Sequence, residues 1–248
     1  MSDSITLDIS NFLKTIKKKL AHLEKIPKSL DSFKHAFLQN GQAMYVANYK
    51  KGEVTYSRNI EKVLGYYPEE FEKLLPTQNL LHPKQKVIVS LLINQGISSV
   101  VTGVFNPDNI KFVLLYKVKH KNGTYRSILR QTGVFETDSN NRMITMYSFI
   151  TDVTGLMDTD KVEWKLEGVD NELEQNIIHE VYKLGKNIFS ERELEFLTEL
   201  KKGKTSKEIA AKFNNSRHTI DTHRRKLLKK SHCKNTQELL GFAESLTI

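Results

Sequence analysis

Three segments in the last quarter of the chain open with the same start signal: Ser190-Glu-Arg-Glu193, Thr205-Ser-Lys-Glu208 and, with asparagine as the cap, Asn235-Thr-Gln-Glu238. In each, the first side chain can accept from an otherwise unpaired amide of the opening helical turn, and the glutamate can accept from the cap amide. Ser216, before Arg217, supplies a fourth cap. These signals predict helices at 191–202, 206–213, 217–230 and 236–246, with Gly203 and the Asn214, Asn215 pair in the turns. Short helices with such brief connections must bury their apolar faces against one another, so the tail is expected to be an all-α unit. Its second and third helices are joined by only three or four residues. That is the spacing of a helix-turn-helix, whose latter helix enters the major groove of DNA.

Helical periodicity places Ile220, Leu227 and Leu228 on one face of the third helix and His218, Asp221, Thr222, Arg225 and Lys229 on the other. The apolar face is expected to pack on Leu194, Leu197, Leu200, Ile209 and Phe213, leaving the polar face for a duplex. Charge is distributed to match. The chain carries 38 Lys and Arg against 29 Asp and Glu, a net charge of +9. Residues 186–248 hold 14 and 8 of these, so +6 of the +9 lies in the tail. A surplus there favours a polyanionic partner, although a solvated helix face would carry the same run.

The stretch from Phe189 to Ala243, with its S-E-R-E start, S-K-E-I-A second helix and T-I-x-T-H-R third helix, resembles the LuxR-type DNA-binding domain, also called the NarL or GerE type. The resemblance covers residues 188 to about 245. It implies that Asp221, Thr222 and Arg225 read base edges beside His218, and that Thr205, Ser206, Lys207, Arg217, Thr219 and Lys229 anchor phosphates. It also implies a dimer contact on the fourth helix, around Leu240 and Glu244. Arg225 suits guanine O6 and N7; Asp221 either accepts from cytosine N4 or pairs with Arg225 one turn on. Three positions depart from the family pattern: Asn215 stands in place of valine or isoleucine, Asp221 in place of lysine, and Ser231 with His232 in place of leucine and glycine. The first and third bear on packing and the second on specificity.

Upstream, Ile9, Leu13, Ile16, Leu20 and Leu23 alternate spacings of four and three on a predicted helix closed by Pro27. The stripe suits either a dimer contact or docking on the chain's own next domain. Two strand-like runs follow, then helical segments, then three longer strands, of which two flank the hairpin signal Asn122-Gly123. The fold class expected for this part is α+β with a five-stranded antiparallel sheet. Leu166, Val169, Leu173, Ile177, Val181 and Leu184 then step by three or four residues, predicting an amphipathic connector that Gly185 breaks. The division expected is an N-terminal helix in 1–34, a domain in 35–155, a helical connector in 156–187 and the DNA-binding tail in 188–248.

The elements NIEKVLGYYPEEFEKLL, LLHPKQ, HKNGTYR and DVT make residues 35–155 resemble a PAS sensor domain. The resemblance implies a central cavity for haem, flavin, a metabolite or nothing, with Val87, Leu91, Phe112, Leu114 and Phe149 as lining candidates or simple core. The lone cysteine, Cys233, lies outside this domain, which excludes photoactive flavin–cysteine chemistry. Haem is disfavoured: His82 belongs to the L-H-P entry to a helix and His120 to a hairpin. The cofactor question otherwise stays open, and no metal site is expected.

No segment approaches the ~20 apolar residues of a membrane span, and one cysteine makes no internal disulfide, so the cytoplasm is the expected compartment. His179-Glu180 alone, with no ATP-binding domain, does not make an enzyme. Two function classes remain. One is a homodimeric transcriptional regulator binding double-stranded DNA, in which a PAS-bound small molecule controls the tail and RNA polymerase is a candidate partner. The other has a PAS domain that only mediates protein interaction and dimerisation for a constitutive DNA-binding tail.

Overall fold

The computed structural model describes residues 9–24, 28–102, 106–157, 161–169, 171–186, 189–231 and 233–245. The first two strands, β1 (Gln42–Asn48) and β2 (Glu53–Arg58), form a hairpin. Its turn needs Gly52, whose φ of 72° lies in the left-handed region. Helices α3 (Ile60–Leu64), α4 (Pro68–Leu74) and α5 (Lys86–Thr102) come next, followed by β3 (Lys111–Lys119), β4 (Tyr125–Thr137) and β5 (Met143–Asp152). Gly123 (φ 91°) closes the β3–β4 hairpin where the Asn-Gly pair predicts it, and His120 N–H donates to the Thr124 carbonyl across it at 2.8 Å.

The sheet is antiparallel with order β2-β1-β5-β4-β3-β6, so it holds six strands and not the five expected. The sixth, β6 (Glu163–Glu167), pairs with β3 in the segment read as the start of a helical connector. Its residues alternate: Leu166 is buried and Trp164 meets Phe112 edge-on at 6.2 Å, while Glu163 and Lys165 face water. A period of two thus overrides the three-and-four stripe that Leu166 also fits. Gly168 ends the strand at φ 79°, where a Cβ would stand 1.9 Å from the Asn109 carbonyl oxygen, so the chain turns there only with glycine. The connector helix proper is α6 (Asn171–Lys186); it packs on α5 and runs through Gly185 without a break. This α+β unit, with helices between its second and third strands, is PAS-like.

The N-terminal stripe forms α1 (Ile9–Leu20), and a short turn of helix, α2 (Asp31–Lys34), leads into the sheet. Ile16, Leu20 and Leu23 are buried in the core of the same domain. Leu13 borders an internal cavity beside Tyr45. The dimer assignment of Ile16 and Leu20 is therefore corrected to intramolecular docking, because apolar area already covered by α5 and its neighbours is not available to a second chain, while Leu13 stays half-buried. Ile9 opens the helix, but its side chain lies outside the described residues, as does Pro27.

The tail forms α7 (Glu191–Lys201), α8 (Ser206–Lys212), α9 (Arg217–Ser231) and α10 (Thr236–Ser245). Each starts at its predicted residue, and each ends within one residue of the predicted stop. Among the described residues no helix is long and apolar enough to cross a membrane.

Candidate DNA-binding interface

Local hydrogen bonds fix the start of each tail helix. Ser190 and Glu193 close a reciprocal box on α7, as do Thr205 and Glu208 on α8. Asn235 Oδ1 accepts from Glu238 N–H at 2.9 Å before α10. Ser216 Oγ accepts from Thr219 N–H at 3.0 Å and meets the Thr219 hydroxyl at 2.8 Å, which sets the entry angle of α9. Phe196, Leu197, Leu200, Ile209, Ile220, Leu227, Leu239 and Phe242 are buried. The helix-turn-helix pair α8–α9 is thereby clamped between α7 and α10.

The departures from the family pattern are accommodated. Asn215 is exposed, with its side-chain amide donating to the Phe213 carbonyl at 3.1 Å, so no apolar side chain is needed there. Ser231 is fully buried and its hydroxyl donates to the Leu227 carbonyl at 2.8 Å, which removes the cost of an unpaired polar group. His232 lies outside the described residues.

The polar face of α9 points away from this core. His218, Arg217, Arg225 and Lys229 are exposed, and Thr219, Asp221 and Thr222 are half-buried. Asp221 pairs through its carboxylate with Arg217, at 3.8 Å, and not with Arg225. Arg225 Nε donates to the Asp221 carbonyl at 3.4 Å and its NH2 group to the Thr222 hydroxyl at 3.3 Å. The pairing of Asp221 with Arg225 weighed from the sequence is thus corrected: Arg217 one turn earlier takes the carboxylate, and Thr222 with the main chain orients Arg225. On α8, Thr205 and Lys207 are exposed and Ser206 half-buried at the same edge.

Not every basic residue of the tail is free for a phosphate. Glu199, buried in α7, gathers Lys202 at 3.0 Å, Lys204 at 2.5 Å and Lys212 at 2.7 Å. Glu193 takes Lys230 at 2.6 Å. Among the described residues Lys207, Arg224, Arg225, Lys226, Lys229 and Lys234 have no acidic partner, and of these Lys207 on α8 and Arg225, Lys226 and Lys229 on α9 are exposed.

Hydrogen bonds from Lys204, Lys212 and Lys202 hold the Glu199 carboxyl at about 2, down from its ordinary 4.5. A folded-state value below the unfolded one means the stabilisation is present above about pH 4.5 and is lost as pH falls toward 2. Replacement by Glu199→Gln is therefore expected to lower the melting temperature at neutral pH and to leave a gap that narrows through that window. Melts from pH 7 downward check this, and a gap independent of pH would assign the loss elsewhere.

The fourth helix has a partner within the chain. Glu238 accepts from Lys84 of the α+β domain at 2.6 Å, and Glu244 from Lys161 at 3.3 Å. A cleft of about 350 Å³ between Lys84, Ile88 and Val162 on one side and Cys233, Gln237 and Phe242 on the other marks this junction. Glu244, expected at a dimer contact, is here engaged with Lys161, and Leu240 is half-buried beside the domain core.

The five candidate cavity residues do not converge. Phe112 borders a cavity between sheet and helices. Leu91 and Leu114 are core, and Val87 packs on that core. Phe149 is corrected to the opposite face of the sheet, against Phe33 and Tyr147, because it alternates with the inward Ser148 and Ile150. Polar groups also border the cavity, Arg130 among them, and a charged residue in a strand carries no local sequence sign that it faces inward.

Taken together, these elements define a protein with a PAS-like α+β domain joined to a four-helix helix-turn-helix domain. Residues 187–243 match the GerE family model, bacterial regulatory proteins of the luxR family, so the chain ends in a luxR-family DNA-binding domain. No curated protein is detectably similar to this chain. Solved structures similar to it include the PAS domain of a Colwellia psychrerythraea protein, at 18% identity and a TM-score of 0.38 over 50% of this chain and 93% of that one. A phage VqmA–DPO complex aligns at 19% identity and 0.34 over 87% and 88%. The Vibrio cholerae VqmA dimer without target DNA aligns at 16% and 0.34 over 87% and 85%.

Proposed function

We propose that the chain is a sequence-specific, DNA-binding transcriptional regulator in which the α+β domain senses a signal and controls the helix-turn-helix output. The observation that carries the reading is the outward face of α9. Arg225 is held in position by Thr222 and the Asp221 carbonyl, with exposed Lys226 and Lys229 on the same helix and exposed Lys207 on α8, none of them paired with an acid. Oriented Arg225 has the fork to read guanine, while His218 and Thr222 line the same groove-facing side. Lys207, Lys229 and Arg217, with Thr205, Ser206 and Thr219 at the helix starts, form the phosphate edge. Control is supported by the junction at α10, which ties the tail to the α+β domain through Lys84 and Lys161. Two such tails on a duplex would place their α9 helices about one helical turn apart, so the operator is expected to be an inverted repeat.

The test is the salt dependence of binding to a selected operator. Affinity is expected to fall steeply with salt, and Lys207→Ala to weaken all sequences alike and reduce the slope by about one phosphate contact. Binding that ignores salt, or a Lys207→Ala effect confined to one sequence, would overturn the assignment.

A further inference from the structure

Arg130 lies on β4, flanked by β5 and β3, and opposes Ile150 and Leu114 across the ladder. Strand alternation points it with Ile128 and Thr132 toward the helices, not to solvent. It is 7% exposed. No carboxylate of the described residues lies within ion-pair distance of it, and its buried Nε has no hydrogen-bond partner. Glu136, the buried acid on the same strand, is six residues or ~20 Å along β4 and accepts from Thr145 and the Lys28 amide. Glu53, at the rim, pairs with Lys51 at 3.4 Å.

Phenols surround the guanidinium instead. Its Cζ is 5.6 Å from the Tyr116 ring centroid, and Tyr45 and Tyr49 border the same space. Burial pushes the Tyr49 and Tyr116 phenols up, so both keep their protons at neutral pH and remain donors. Three cavity lobes of about 90, 50 and 20 Å³ meet at Arg130. The largest adds the polar Asn48, Gln78 and Asn94, and the second is walled by Leu64, Phe71, Leu80 and Ile150.

A guanidinium does not shed its charge at any physiological pH, and burial without a counter-charge is strongly unfavourable. Its planar fork is matched by a carboxylate, which takes two parallel hydrogen bonds. We infer that this cavity binds a compact organic monocarboxylate, with the carboxylate on Arg130 among the Tyr45, Tyr49 and Tyr116 hydroxyls and a short apolar tail in the lobe lined by Leu64, Phe71 and Leu80. Ile93, Asn94 and Ile97, which line the cavity, belong to α5, and α5 packs on the connector α6. Occupancy therefore acts on the helix that leads to the tail. This last step rests on the reading of the α+β domain as a sensor; binding itself does not.

The experiment titrates the full chain with straight-chain monocarboxylates from acetate to hexanoate and with the matching primary amides, read by thermal shift and calorimetry. At least one acid is expected to bind and to raise the melting temperature while its amide does not. Arg130→Met should weaken that acid on the order of a hundredfold, the loss of a buried charge pair, and should raise the melting temperature of the protein without added acid, since a buried charge that has phenol partners but no counter-charge is gone. Arg130→Lys, which keeps the charge and loses the fork, should fold and bind more weakly than the parent. No response to any acid, an equal response to the amides, or a lowered melting temperature for Arg130→Met with acid binding intact in Arg130→Lys overturns the proposal. Operator binding in the same titration is the separate arm. If acid binds through Arg130 and DNA affinity does not change, the site stands and the sensor reading falls.

Discussion

Arg225→Ala is expected to cost the complex with the preferred operator about 1–3 kcal/mol and to relax discrimination at the base pair it reads, while leaving binding to random DNA almost unchanged. Two features of α9 make the effect specific. The guanidinium is exposed and has no acidic partner, so truncation leaves no buried group unpaired in the free protein. It is also already oriented by Thr222 and the Asp221 carbonyl, so little side-chain entropy is lost on binding. Thr222→Val should therefore reproduce part of the loss through a less fixed Arg225. Asp221→Asn should do much less, because that carboxylate is held by Arg217. A binding-site selection with each variant decides it: unchanged discrimination in Arg225→Ala would remove this residue from base reading.

What could be read without coordinates follows from the range of each interaction. The tail was legible because its caps act over three residues, so Ser190-Glu193, Thr205-Glu208 and Asn235-Glu238 name their own helix starts. The β3–β4 hairpin was legible for the same reason, through Asn122-Gly123. Features that depend on which partner wins were not. Ile16 and Leu20 make the same stripe whether a second chain or α5 covers it, and α5 does. Leu166 fits a helical stripe with Val169 and an alternating strand with Trp164; pairing with β3 decides for the strand. Arg217 and Arg225 sit equally far from Asp221 along α9, and only geometry assigns the carboxylate to Arg217. Arg130, flanked by Leu129 and Gln131, gives no local sign that it faces inward.

Lys84→Glu is expected to strengthen operator binding about tenfold. The Lys84–Glu238 pair is short, at 2.6 Å, and its side chains are only 20% and 17% exposed, so it is screened less than a surface pair. Reversal at Lys84 sets two carboxylates against each other across the junction. Glu238 itself is left in place, which matters because it also accepts from the Lys234 amide and caps α10. Losing the attraction and adding repulsion is worth about 1–2 kcal/mol, discounted for partial exposure. If α10 must leave Lys84 and Lys161 before two tails can pair, the docked chain binds DNA only through its undocked fraction, and that fraction rises by the same factor. Lys161→Glu, opposite the more exposed Glu244, should act in the same direction and more weakly. Fluorescence anisotropy with operator DNA, with sedimentation to follow dimer formation, reads both. Weaker binding in Lys84→Glu, with the fold intact, would mean that the junction holds the tail in its DNA-competent placement and not away from it.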